Sequence, residues 1–173
     1  MAESADSLLP TIVSRCQRID LADAGRRGLP ENLAARVDGI VDGAADSFVG
    51  RACAAARLAL VLQELKGEIE RAAAAEVKAS SKGPGVEIDE DGENALVSAR
   101  YRAVRRDFMV TLMEYFRRVM SRAATEKPAP IPLADAFQNL QLVEQAAKRL
   151  DLRNMQEIPV LGQLFDQLSF PRK

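Results

Sequence analysis

The 173-residue chain carries 24 basic and 25 acidic side chains, and its formal net charge of −1 excludes a global field that attracts nucleic acid or an anionic membrane. It has no tryptophan and 5% aromatic residues, which argues against the stacking platforms of single-strand binders. The absence of histidine excludes Ser-His-Asp and Cys-His catalysis, and Cys16 and Cys53 alone argue against a zinc site. We therefore expect no metal and no cofactor.

Nothing in the sequence predicts export or membrane insertion. Met1 leads directly into a polar segment that lacks the pattern of a signal peptide. No apolar run approaches the ~20 residues of a membrane span, and Arg57 interrupts the best candidate, 52–62. We expect a cytoplasmic protein with reduced thiols and no membrane partner.

The start of the chain contains its most unusual string, Leu8-Leu9-Pro10-Thr11-Ile12-Val13-Ser14-Arg15-Cys16-Gln17-Arg18-Ile19. Pro10 suits the first turn of a short helix, because it lacks only an N–H group that is unpaired there anyway. Residues 20–30 contain Gly25, Gly28 and Pro30 and are typical of an irregular linker.

The next segment predicts a short helix and the start of a longer one. Apolar residues at helical spacing predict a helix from Pro30 to about Asp42, ended by Gly43. Asp46 or Ser47 is expected to cap the helix that follows.

That following helix is predicted to be long, from Phe48 to about Lys78. Its side chains expected to face inward recur every three or four residues: Phe48, Ala52, Ala55, Ala59, Leu62, Leu65 and Ile69. Residues 80–91 combine Ser, Gly and Pro with an acidic run and predict a surface loop.

The second half of the chain predicts three more helices. One long helix is expected from Glu93 to about Ala123, and three prolines between 125 and 132 predict an extended connector after it. A helix over 133–150 has an expected inward row of Phe137, Leu140, Val143, Ala147 and Leu150, and a last helix is expected over 159–168.

These elements together predict an all-α fold, a helical bundle with two long helices. No segment alternates apolar and polar residues long enough to predict a strand. The chain has no Gly-x-x-x-x-Gly-Lys-Ser/Thr sequence and no paired-carboxylate constellation with usable spacing. We therefore expect no enzyme activity from this chain on its own.

The second long helix is rich in arginine, at positions Arg100, Arg102, Arg105, Arg106, Arg117, Arg118 and Arg122. One interpretation is a stripe that contacts phosphates. The favoured interpretation is a solvated face with some intersubunit ion pairs, because the arginines spread around the helix and Asp107 and Glu114 lie among them.

The string from Leu8 to Ile19 resembles the Ser-Arg-Cys motif of bacterial DNA polymerase III clamp-loader subunits, and the lead-in 2–6 suits the delta-prime subunit. In that family the segment follows the sensor-1 strand of an AAA+ ATPase domain, and its arginine reaches the nucleotide on a neighbouring subunit. The resemblance implies that Arg15 is an arginine finger in trans. It gives Ser14 the role of a local cap and Cys16 that of a packing residue.

The resemblance also implies a domain division and a set of partners. Residues 1–20 correspond to the end of an AAA+ domain, 21–47 to a shortened lid-like linker, and 48–173 to a C-terminal collar-like helical domain. Delta-prime subunits do not depend on hydrolysing ATP, which fits a chain without a P-loop. The implied partners are gamma/tau and delta, with the sliding clamp and primer-template DNA reached through the complex during DNA replication.

Two other interpretations stay open. The chain could be a free-standing helical adaptor or scaffold in which the Ser-Arg-Cys string is coincidental. It could also be a fragment of a gamma/tau-type clamp-loader subunit.

Overall fold

The computed structural model describes residues 28–44, 47–80, 90–152 and 155–170, and within them the backbone forms five helices and no strand. The helices are α1 (Glu31–Asp42), α2 (Phe48–Ser80), α3 (Glu90–Thr125), α4 (Leu133–Leu152) and α5 (Glu157–Gln167). The predicted all-α class is therefore confirmed. None of these helices combines the length and apolarity needed to cross a membrane.

Local sequence signals set several helix ends where they were expected. Helix α1 follows Pro30 and ends at Gly43, whose N–H donates to the carbonyl of Gly39 at 3.1 Å. The Ser47 hydroxyl accepts the backbone N–H of Gly50 at 3.1 Å and so caps α2. Asp46, the other predicted cap, lies outside the described residues. The prolines at 128, 130 and 132 fall in the non-helical connector between α3 and α4, as predicted.

Helices α2 to α5 form a closed ring in which each helix packs on two neighbours. Helix α2 packs against α3 and α5, and α4 packs against the same two helices. Neighbouring helices run antiparallel: Arg100 of α3 pairs with Glu76 of α2, and Arg51 of α2 donates to the carbonyl of Asp166 in α5. This is an up-down-up-down four-helix bundle, with α1 packed across α2 and α3.

The core occupies only part of the two long helices. On α2 it spans Ala54 to Leu65 and on α3 Phe108 to Ala123, with Leu161 and Phe165 of α5 fully buried between them. The 33 residues of α2 and the 36 of α3 are much longer than the 11 residues of α5. Their outer parts therefore continue beyond the ring as a two-helix extension, in which Ala73 is fully buried.

Three residues expected to face inward are exposed instead. Phe48 is 75% exposed and Ala52 is also exposed, because the core on α2 starts only at Ala54. Phe137 is 54% exposed, and the buried row of α4 runs through Ala136 and Asn139. Val143 and Leu150 are buried as predicted, and Asn139 in this row bonds the backbone of Ser169.

Candidate functional site

Arg15, which is predicted to act on a neighbour's nucleotide, lies outside the described residues, and so do the other motif residues, Ser14 and Cys16. So do the segment 1–20 and the linker up to residue 27. The arginine-finger role and the domain boundaries at the start of the chain stay predictions.

The arginines of α3 are mostly neutralised within the chain. Six of the seven form ion pairs with carboxylates of this same chain: Arg100–Glu76, Arg105–Glu157, Arg106–Asp151, Arg117–Glu114, Arg118–Asp38 and Arg122–Glu126. The expected solvated face is therefore present for most of them, but these pairs are intramolecular rather than intersubunit. A continuous stripe for phosphates does not fit this pairing, because each paired guanidinium already faces a carboxylate.

Arg102 differs from the other six. It is exposed, and it has no hydrogen bond or ion pair to any residue in the described part of the chain.

Arg105 is buried, with 5% of its surface exposed, although it was expected on a solvated face. One amino group donates to the carbonyl of Leu150 at 2.6 Å, and the other lies 3.2 Å from the Glu157 carboxylate. The Tyr101 hydroxyl donates to the same Glu157 oxygen at 3.1 Å. Arg105 therefore joins α3 to the last turn of α4 and to the first turn of α5.

The contacts of Arg105 with Leu150 and Glu157 can each be explained physically. The carbonyls of the last helical turn, Leu150 among them, have no intrahelical partner, and a cation near a helix C-terminus is favourable. The buried charge is tolerable because it is both paired and hydrogen-bonded. Burial, followed by the charge of Glu157, raises the pKa of Tyr101, so its hydroxyl keeps its proton and donates.

The spacing of Arg105 is the sequence signal for its burial, but that signal does not decide between a buried and an exposed side chain. Arg105 lies four residues after Tyr101 and three before Phe108, on the same face of the helix as these two apolar residues. A charged residue in the middle of an apolar stripe indicates a buried ion pair as readily as a solvated side chain, and its partner was not visible in the sequence.

A cavity of about 410 Å³ opens beside this buried pair, between the α4–α5 turn and the α2–α3 hairpin. Its walls include Lys66, Tyr101, Arg102, Arg105, Met155 and Glu157. Three cations thus face one carboxylate, and that carboxylate is already bonded by Arg105 and Tyr101.

A second cavity, of about 310 Å³, lies between α3 and α4 and is mainly apolar, with Met109, Met113 and Ala147 in its walls. Three cations and two carboxylates lie around it, and four of these five groups form ion pairs with one another. Arg106 pairs with Asp151 at 3.6 Å, and Lys148 pairs with Glu144 at 2.7 Å.

Helix α1 is fixed to the bundle by a separate polar cluster. Asp38 pairs with Arg118 at 2.5 Å, and Asp42 accepts the Tyr115 hydroxyl at 2.6 Å. Burial, followed by the hydrogen bond to Asp42, raises the pKa of Tyr115. Burial also raises the pKa of Asp38, against the lowering effect of Arg118.

One end of the bundle exposes several large apolar side chains. Phe48 and Val49 lie in the first turn of α2, and Leu133 and Phe137 lie in the first two turns of α4. The two helix starts share an end of the ring, because Arg51 and Asp135 line one cavity there.

The described residues contain no group of three or more His, Cys, Asp or Glu side chains placed to hold a metal ion. Comparisons with protein-family models, with curated proteins and with solved structures find no match for this chain.

Proposed function

We propose that this chain is the C-terminal part of a delta-prime-like subunit of the bacterial DNA polymerase III clamp loader. The observation that carries the proposal is the string Leu8 to Ile19, with Ser14, Arg15 and Cys16 in the order of the family motif. In this function the helical domain assembles with gamma/tau and delta. The complex then loads the sliding clamp onto primer-template DNA.

The exposed apolar end of the bundle supports an assembly role. Phe48 is 75% exposed and Val49 is 68% exposed, and Leu133 and Phe137 are each more than half exposed. Large apolar groups that cluster at a surface are typical of contacts between proteins. A neighbouring subunit that packs over this end of α2 and α4 would remove them from water.

The proposed role of Arg15 follows from the chemistry of phosphoryl transfer. Negative charge on the transferring γ-phosphoryl group is stabilised by a guanidinium, which is planar and always charged. Because the chain has no P-loop, the nucleotide in this mechanism is held by another subunit. Arg15 then supplies one half of a site whose other half is on the neighbour.

The assembly role is tested by sizing chromatography of the full chain with gamma/tau and delta. We expect co-migration for the unchanged protein and its loss in the double variant Phe48→Ser/Phe137→Ser. Leu60→Ser is the control, because Leu60 is also exposed but lies outside the apolar end. Elution of the unchanged chain as a lone monomer beside an intact gamma/tau–delta complex would count against the proposal.

The finger role has its own test in the assembled complex. Arg15→Ala should lower clamp- and DNA-stimulated ATP hydrolysis, while the neighbouring Arg18→Ala should leave it close to that of the unchanged complex. Unchanged turnover with Arg15→Ala in a complex of normal composition would remove Arg15 from the mechanism.

A free-standing helical adaptor is the second candidate. The observation that favours it is the closed ring of α2 to α5, which together with Val37 and Val41 of α1 buries one continuous core. In the chromatography experiment, an adaptor binds neither gamma/tau nor delta.

A further inference from the structure

The cavity beside the α4–α5 turn has an excess of positive charge in a chain whose net charge is −1. Lys66, Arg102 and Arg105 lie in its walls, and Glu157 is the one carboxylate there. Arg105 is buried and holds Glu157, so it also fixes the shape of this wall. The α3–α4 cavity has a smaller excess, with the cations Arg105, Arg106 and Lys148 against the carboxylates Glu144 and Asp151.

Two of the three cations, Arg102 and Lys66, are exposed to solvent. Arg102 is exposed and has no polar partner among the described residues. The Lys66 ammonium lies 3.8 Å from Glu70 and 5.8 Å from the centre of the Tyr101 ring, and its side chain is 50% exposed. Long, solvent-exposed contacts of this kind contribute little free energy. The Lys66 side chain can therefore reorient toward an anion in the cavity.

Apolar surface borders the same cavity. Met155 in its wall is 39% exposed, and Ile158 in the first turn of α5 is 62% exposed. Helix α5 also begins here, with no side-chain cap from Gln156 and with the Glu157 carboxylate in its first turn. An occupant that matches this surface carries negative charge next to an apolar side chain.

We propose that this cavity is a docking site for an acidic segment of a partner protein. A carboxylate of that segment binds between Arg102 and Lys66, and an adjacent apolar side chain covers Met155 and Ile158. The volume of about 410 Å³ is sufficient for groups of side-chain size. The inference rests on the proposed assembly function. It specifies where one contact with a partner protein lies and which chemical groups form it.

The test follows the backbone amide signals of the full chain by NMR during titration with peptides. The probe is a synthetic peptide of about sixteen residues, long enough to form a helix, that combines glutamate with leucine and alanine. A second peptide has glutamine at every glutamate. Inorganic phosphate is titrated separately.

The glutamate peptide should shift the signals of Ser98, Gln156 and Glu157, which line the cavity. The glutamine peptide should bind at least about tenfold more weakly, because charge-assisted bonds to Arg102 are lost. Arg102→Glu should abolish these shifts. Arg57→Glu is the matched control, an exposed arginine of α2 that does not line the cavity, and it should leave them intact.

Three results would overturn the proposal. The glutamate peptide could leave the cavity signals unchanged, Arg102→Glu could bind it as well as Arg57→Glu does, or phosphate could shift the same signals more strongly than the peptide. The last result would make the cavity a site for phosphate groups. Peptide binding in a chain that does not assemble with gamma/tau or delta would refute the assembly function and leave the acidic docking site standing.

Discussion

The side-chain amide of Asn139 exchanges two hydrogen bonds with the backbone of Ser169: its nitrogen donates to the Ser169 carbonyl at 2.7 Å, and its oxygen accepts the Ser169 N–H at 2.9 Å. Asn139 is 1% exposed. The pair fixes the segment after α5, so that Leu168 and Phe170 on either side of Ser169 are buried in the core.

We expect Asn139→Ala to lower the free energy of unfolding by about 1–3 kcal/mol, because the backbone groups of Ser169 lose their partner. Gln138→Ala, at the exposed neighbouring position, should change it by no more than about 0.5 kcal/mol. Urea unfolding followed by circular dichroism measures both. Equal effects of the two substitutions would show that the Asn139 bonds contribute nothing.

Arg105→Met should cost about 3–5 kcal/mol, because it leaves the Glu157 carboxylate and the Leu150 carbonyl without their buried partner. Arg106→Met, in the next residue, should cost less than about 1 kcal/mol, since that side chain is 64% exposed and its ion pair is on the surface. Adding Glu157→Gln to Arg105→Met should recover part of the loss in a double-mutant cycle. An additive double variant would contradict the coupling.

Tyr115→Phe should cost about 1 kcal/mol near neutral pH through the lost hydrogen bond to Asp42. The folded state raises the pKa of Tyr115 above its ordinary value of 10.0, mainly by burial. The stability from the protonated phenol is therefore fully present below pH 10.0 and is lost as the pH rises above it. The difference between the unchanged protein and Tyr115→Phe should shrink in urea unfolding above that pH, and a constant difference would contradict the assignment.

Ala73→Leu should destabilise the two-helix extension, because Ala73 is fully buried there and a larger side chain costs about 1–3 kcal/mol in a closely packed site. Ala72→Leu is the matched control at the exposed neighbouring position. Hydrogen exchange should increase in the outer parts of α2 and α3 for Ala73→Leu and stay unchanged in α5. Faster exchange throughout the bundle would mean that the extension does not unfold separately.

The helices themselves could be predicted from the sequence because their signals are local. Periodic apolar residues and the end signals at Gly43 and Ser47 act within a few residues of the chain. The rows that face the core were harder to predict, as Phe48 and Phe137 show. Periodicity tells which residues share a face, but the level at which a neighbouring helix covers that face depends on contacts far away in the sequence.

The buried polar groups could not be assigned for the same reason. Asn139 and Arg105 are partners of Ser169 and Glu157, which are 30 and 52 residues away. Without the partner in view, a polar residue in an apolar row is indistinguishable from an exposed one. The string around Arg15 lies outside the described residues, and its role stays a prediction from the family resemblance.

The closure of the ring by α2 and α5 has a consequence for how the chain acquires its structure during synthesis. Arg51 of α2 bonds the backbone of Asp166 in α5, 115 residues later, whereas the contacts of the α2–α3 hairpin join residues much closer in sequence. The hairpin can therefore form early on the ribosome, since local contacts form faster than distant ones. The face of α2 that packs on α5 then stays exposed to solvent until α5 emerges. A chaperone that binds apolar helices would bind this face during that interval.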